Sequence, residues 1–364
     1  MSPSRDRARL EALLSAGLNW DGLLLLGEEH GVQGMLARCL QEIGYARVPG
    51  DARERMQSGI RAQQLLTLSL TAELFRVLGD FAKAGIEAIP VKGPLLSQLA
   101  YDDPAMRSFG DVDLLLPQRF IPPAIERMLA MGFAPDLPLG ALRSGKVPGE
   151  YVFRRAGRLV ELHTERTFRH YPRPMRIEEM IGRKRQVSLD GRPVPELCLE
   201  DELVFHCIHG SKDFWERLIW VSDVAALLTK YPEIDWKKAC RAAEDVGAKR
   251  MLHVGVQLAS TVLGVHLPGP ISKEIQGDAR SRSLSEEIRE SLPYAGHRPQ
   301  GLVKRARYRA QMSGGGVPGL SYLLRLSLVP SQDDWDQSGG ERKGWFWEVV
   351  RRPLRLIRKY GSDV

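Results

Sequence analysis

The period of apolar positions changes repeatedly along the chain, and those changes mark its elements. Residues 5 to 48, with the run Leu23 to Leu26 and the stretch GVQGMLARCLQEIG stopped at Gly44, predict two or more helices. From Asp51 to Ala84 a long amphipathic pattern predicts one helix that ends at Gly85 and backs a sheet. The short apolar run Ile86 to Val91 reads as a buried strand, and Pro94 to Tyr101 as a helix with proline in its first turn. A second strand over Asp111 to Leu116 and a helix over Arg119 to Met131, closed by Gly132, complete a β-α-β-α unit. Residues 134 to 149, rich in Pro and Gly, read as a loop, and YVFRRAGRLVELHTE as a hairpin whose second strand is Leu159 to His163. From Leu197 the pattern is helical, with two more helices over 235 to 264. Pro, Gly and polar residues then increase from Leu267 to Pro318, where SGGGVPG reads as a breaker.

Side chains alternate faces along a strand, so Asp111 and Asp113 share one face, while Val112, Leu114 and Leu115 supply apolar body. Two carboxylates about 7 Å apart along a strand suit Mg²⁺, which takes one or two carboxylates plus phosphate oxygens; taken alone, the pair equally describes a solvated strand end. Ahead of it, Lys92-Gly93 closes one strand and opens a helix, a place where backbone N–H groups receive a phosphate. Arg107-Ser108 brings a guanidinium fork just before the aspartates. On the later strand Glu161 and His163 share a face. A carboxylate there is costly unless paired or metal-bound, the alternative being a solvent-facing edge. His163 is either a phosphate-orienting or basic group, or a hydrogen-bonded neighbour. Glu202, His206 and His209 recur at i, i+4 and i+7 on one helical face, with no third zinc ligand evident.

The run K-G followed by R-S-x-G-D-V-D-L-L-L resembles the polymerase-β-type nucleotidyltransferase superfamily, and more closely a bacterial family of uncharacterised nucleotidyltransferases. The stretch at 200 to 223 resembles that family as well: an acidic pair, a helix bearing histidines, then Lys212, Trp215, Arg217, Leu218, Trp220 and Asp223, with Asp213 where a histidine is common. Gly93 is followed by Pro94 where the superfamily carries Ser, and Glu161 stands where Asp is more usual. The resemblance implies an α+β fold: a polymerase-β-like core of a small mixed sheet with helices, between a mainly helical N-terminal cap and a C-terminal helical domain. It implies Mg²⁺ or Mn²⁺ on Asp111, Asp113 and Glu161, which are also the catalytic set, and an NTP held by Lys92, Gly93, Arg107 and Ser108. His209, Lys212 and Arg217 are expected to reach nucleotide or acceptor, or else Lys212 with Glu216 and Arg217 with Asp213 form surface helix pairs. The implied reaction moves a nucleoside monophosphate from an NTP to a hydroxyl or phosphate of a small molecule, sugar phosphate or peptide. The alternatives are a nucleotide-binding or scaffold protein on the same fold, and a tailoring enzyme for a peptide natural product.

Composition narrows this picture. With 364 residues, 43% hydrophobic and 27% charged, the chain has room for two domains of ordinary globular character. Four regions are expected: a cap over 1–50, the nucleotidyltransferase core over 51–190, a helical domain over 191–310 and a basic tail over 311–364. Of the net charge of +7, residues 301 to 364 hold +6, so the rest is nearly neutral and lacks the basic stripe of a nucleic-acid binder. The tail offers a weak peripheral membrane possibility, although Glu341, Glu348 and Pro353 argue for a segment packed on the body. No long apolar run and no signal-like N-terminus is present, giving the expectation of a cytoplasmic protein. Cys39, Cys198, Cys207 and Cys240 lack CxxC spacing and are expected as thiols.

Overall fold

The computed structural model describes residues 7–45, 47–103, 106–143, 149–165, 173–294 and 301–328. Three short helices come first: α1 (Arg7–Ser15), α2 (Trp20–Glu29), capped by the Asn19 side chain accepting from Gly22 N–H, and α3 (Gln33–Glu42). They meet the first half of α4 (Gly50–Lys83) through a small core of Leu14, Ala37, Leu40 and Met56. The second half of α4 buries Leu70, Leu74, Val77 and Phe81, a helical stripe that lies on the sheet.

The sheet comprises β1 (Ile89–Val91), β2 (Asp111–Leu115), β3 (Ala134–Pro135), β4 (Glu150–Arg155) and β5 (Arg158–His163) in the order β1-β2-β5-β4-β3. β2 and β5 are parallel, and every other pair in it is antiparallel. Between the strands run α5 (Gly93–Tyr101), α6 (Ile121–Ala130) and α7 (Leu139–Arg143). β4 and β5 join at Ala156-Gly157, whose positive φ values of 48° and 76° are those of a tight hairpin turn. Residues 134 to 143 thus hold β3 and α7 where the sequence reads as loop. The helix expected from Arg119 begins with a 3₁₀ turn, Gln118–Phe120, because Pro122 and Pro123 are tolerated only in the first turn of α6.

After α8 (Ile177–Gly182) a hairpin of β6 (Arg185–Leu189) and β7 (Arg192–Glu196) leads into α9 (Leu199–Lys212), α10 (Leu218–Lys230), α11 (Trp236–Asp245) and α12 (Lys249–Leu263). α13 (Gly269–Gly277), α14 (Ala279–Ser291), α15 (Leu302–Met312) and α16 (Gly316–Leu328) come last, so the Pro- and Gly-rich stretch from Leu267 holds helices and the glycine breaker opens α16. Trp215 anchors this half. It is fully buried, and Gly210 and Gly255 make room for its ring: a Cβ on either would come within 2.6 and 2.9 Å of it.

Alternation along β2 decides how the halves meet. Val112 and Leu114 join the core with α4, whereas Leu115, with Ile89 and Val91 of β1, joins the core of the helical half. Asp111 and Asp113 lie on the same face as Leu115 and are therefore directed between sheet and helices. The basic tail beyond residue 328, including Trp345 to Trp347 and Pro353, lies outside the described residues.

Candidate active site

Two consecutive residues in the positive-φ region shape the end of β1. Lys92 has φ 60° and ψ −147°, and Gly93 has φ 48°, where a Cβ would stand 3.2 Å from the Asp111 carbonyl oxygen. A lysine in such a conformation costs about 1–3 kcal/mol, and strain of this kind concentrates at functional sites. Here it turns the Lys92 ammonium to 3.0 Å from Asp113 Oδ2.

The parallel register of β2 and β5 sets Asp113 beside Glu161 and Leu115 beside His163. His163 Nε2 consequently lies 2.6 Å from Asp113 Oδ1 and 3.4 Å from Glu161 Oε2. One ligand atom from each of Asp113, Glu161 and His163 falls within 4.8 Å of the others. Asp113 is 1% exposed, Glu161 is half-buried, and Asp111 stands half-buried where the strand begins.

Burial alone would neutralise Asp113, but Lys92 and His163 outweigh it and hold the carboxyl far below the usual range. Burial likewise works against the charges of His163 and Lys92, and their acidic neighbours win. Hydrogen bonds to Asp113 and Glu161 raise His163 to about 9, and Asp113 and Asp111 raise Lys92. Asp111 goes the other way, pushed up to about 6 by burial and by Asp113. Added positive charge beside Asp111 would therefore be stabilised. Asp113, Glu161 and His163 are the described residues placed so that together they could hold a metal ion; Asp111 lies outside that set, on the same face of β2.

A second group approaches from the end of α9. Lys212 Nζ lies 3.7 Å from Glu150 Oε2, and Glu150 is itself opposite His163 in the β4–β5 register. Burial opposes the Glu150 charge, but Lys212 and His163 hold its carboxyl low. His209 is pushed well down by burial and then by Lys92 and Lys212, so it faces the site as a neutral imidazole, with Nδ1 3.6 Å from Asp213 Oδ2. α9 ends at Lys212 and residues 213 to 217 are not helical, so the i, i+4 geometry proposed for Lys212 with Glu216 and for Arg217 with Asp213 does not exist.

Arg107 is buried, and its Nε–H lies 3.0 and 3.1 Å from the two oxygens of Asp223 on α10, where the Tyr101 hydroxyl also donates at 2.8 Å. Its guanidinium is thus pinned between the loop before Asp111 and the helical half. Arg217 donates through Nε to the Glu29 carbonyl at 2.8 Å, Leu218 N–H donates to His30 Nδ1 at 3.0 Å, and Ser108 N–H reaches the Gly31 carbonyl at 3.4 Å. A Cβ on Gly31, at φ 70°, would stand 2.9 Å from Arg217 Nη2. These contacts tie the Glu29–Gly31 turn to the loop that delivers the aspartates. Of the residues expected at the site, Lys92, Asp113 and Glu161 meet in one cluster, Asp111 stands within electrostatic reach of it, and Gly93 follows Lys92 at the start of α5. His209 and Lys212 line its helical side, while Arg107, Ser108 and Arg217 hold the surrounding segments together. Glu150, Tyr101 and His30 carry no sequence signal of this role, because their partners lie on strands and helices far away in the chain.

The mixed sheet and its helices make an α+β protein. The profile of the family described as uncharacterised nucleotidyltransferase matches residues 16–264, and the chain belongs to that family. Similar solved structures include a solution structure of the antibiotic-resistance factor ANT(2'')-Ia, 13% identical, covering 62% of this chain and 98% of the other, with TM-score 0.32. A crystal structure of ANT(2'')-Ia in complex with adenylyl-2''-tobramycin is 12% identical over 60% of this chain and 96% of its own, with TM-score 0.28. An antigenic nucleotidyltransferase-like protein from Paracoccidioides brasiliensis is 14% identical over 57% and 95%, with TM-score 0.31. No curated protein matches the sequence.

Proposed function

We propose that the protein transfers a nucleoside monophosphate from an NTP to an acceptor hydroxyl or phosphate on a small molecule, sugar phosphate or peptide, and releases pyrophosphate. The supporting observation is the convergence of Asp113, Glu161 and His163 within 4.8 Å, with Asp111 on the same strand and Lys92-Gly93 at the start of α5. Asp111, Asp113 and Glu161 would hold Mg²⁺ or Mn²⁺, and the bound cation supplies charge neutralisation for the attacking and leaving oxygens. Lys92 adds a second positive charge, and the N-terminus of α5 offers backbone N–H groups to a phosphate. Glu161, half-buried and beside Asp113, is the group suited to receive the acceptor proton as its oxygen attacks the α-phosphorus. Lys212 and the neutral His209 face the same space from α9 and would orient nucleotide or acceptor, while Arg107 and Arg217 keep the surrounding loops in register.

One observation favours a second reading, a nucleotide-binding protein without transfer activity: both oxygens of Asp113 already have cationic partners in Lys92 and His163. A transfer assay separates the two. With an NTP labelled at the α-phosphorus, the wild type moves label to an acceptor while label at the γ-phosphorus leaves in pyrophosphate, and Asp113→Asn abolishes both. Nucleotide binding with neither label released from the NTP, across a panel of acceptors and both cations, supports the second reading.

A further inference from the structure

The hairpin of α15 and α16 has its inner side settled by packing. Tyr308, Met312 and Tyr322 are buried in the helical core, and Arg305 and Arg309 lie over the Phe214 ring at 4.5 and 5.0 Å. Gly319 allows the two helices to cross closely, since a Cβ there would stand 2.8 Å from the Ala310 carbonyl oxygen. The opposite side of α16 is consequently outward, and it is apolar. Val317, Leu320 and Leu324, at i, i+3 and i+7, are 80%, 60% and 54% exposed, and Val303 at the start of α15 is 78% exposed. A contiguous stripe of this kind marks an interaction surface.

Charge identifies the partner. No Asp or Glu occurs in the sequence between Glu290 and Asp333, whereas Lys304, Arg307 and Arg325 are exposed beside the stripe. Lys304 has Glu287 at 3.6 Å, an exposed pair that water and salt weaken. Apolar side chains along one helix, on a hairpin whose own charged residues are all cations, fit the interface of an anionic bilayer. No helix among the described residues is long and apolar enough to cross a membrane, so such contact is peripheral.

We propose that the outer face of the α15–α16 hairpin docks on an anionic lipid surface, with Val317, Leu320 and Leu324 entering the headgroup region and Lys304, Arg307 and Arg325 meeting lipid charge. None of these side chains belongs to the acidic cluster, so the proposal does not depend on the transfer reaction. Full-length protein should sediment with phosphatidylserine-containing vesicles at physiological salt and stay in solution with vesicles of phosphatidylcholine alone. Leu320→Glu/Leu324→Glu should lower the partition coefficient at least tenfold, and Lys304→Gln/Arg307→Gln about 25-fold, at about fivefold for each cation removed. Both pairs are exposed, so the circular dichroism spectrum and melting temperature of each variant should match wild type. Failure of the wild type to sediment overturns the proposal, as does sedimentation undiminished in both variants. A wild-type dimer that Leu320→Glu/Leu324→Glu converts to monomer, without vesicle binding, overturns it in favour of a contact between copies.

Discussion

His163 Nε2 lies 2.6 Å from Asp113 Oδ1 while Lys92 Nζ lies 3.0 Å from Oδ2 of the same carboxylate. Two strands and the strained end of a third thus place two cations around one buried anion. That arrangement gives His163 and Asp111 pKa values moved from their ordinary ranges.

His163 binds its proton more tightly in the folded chain, with a pKa raised from 6.5 to about 9. Its contribution to stability is fully present below pH 6.5 and is lost as pH rises through about 9. In chelator-treated protein the melting temperature should fall across that window, and His163→Gln should flatten the fall. An equally steep fall in the variant would show that another group is responsible.

Asp111 has the opposite sign. Its carboxyl is raised from 3.8 to about 6 by burial and Asp113, so at neutral pH its charge weighs against the fold. Asp111→Asn should stabilise the metal-free protein at pH 7.5 by about 1–3 kcal/mol, after allowance for its partial exposure, and should impair metal-dependent nucleotide binding. Urea titration measures the first effect, and a loss of stability would mean that Asp111 is structural.

The buried pair of Arg107 and Asp223 behaves as a structural unit. Asp223→Ala leaves Arg107 and Tyr101 without their acceptor and should cost about 3–5 kcal/mol, whereas Arg107→Met/Asp223→Leu should recover most of that loss. Denaturant midpoints of the variants decide it. A cost below about 1 kcal/mol for Asp223→Ala would mean that water replaces the pair.

Gly210→Ala would place a methyl 2.6 Å from the Trp215 ring, which is fully buried and has nowhere to move. A loss of about 1–3 kcal/mol is expected, measured by chemical denaturation. A neutral result would mean that Trp215 is looser than its packing indicates.

The strand–helix–strand frame was legible because Gly85, Pro94 and Gly132 mark element ends and because Asp111 and Asp113 alternate with Val112 and Leu114. Glu161 was legible as a carboxylate in an apolar strand. Its register against Asp113 was not, since a parallel pairing is set by a crossover through α6, β3, α7 and β4. His163 gave the same signal as any lone histidine, and only the register shows it bridging Asp113 and Glu161. Arg107 read as a phosphate-binding fork and Arg217 as a phosphate contact or a surface partner of Asp213, whereas their acceptors, Asp223 and the Glu29 carbonyl, are remote in sequence. Within the helical domain expected over 191–310, the bounds of the helices after Leu267 were not legible, because their glycines and prolines fall at helix ends, where they start elements as readily as they break them.

Asp111 and Asp113 are proposed to bind a nucleotide through a divalent cation. Isothermal calorimetry of the wild type with each ribonucleoside triphosphate, with and without Mg²⁺ or Mn²⁺, tests it most directly. At least one NTP should bind tenfold or more tightly with metal, a coupling of about 1.4 kcal/mol, and Asp111→Asn/Asp113→Asn should erase that coupling while the protein stays folded. Equal binding with and without metal in the wild type, or coupling that survives in the double variant, would contradict the account.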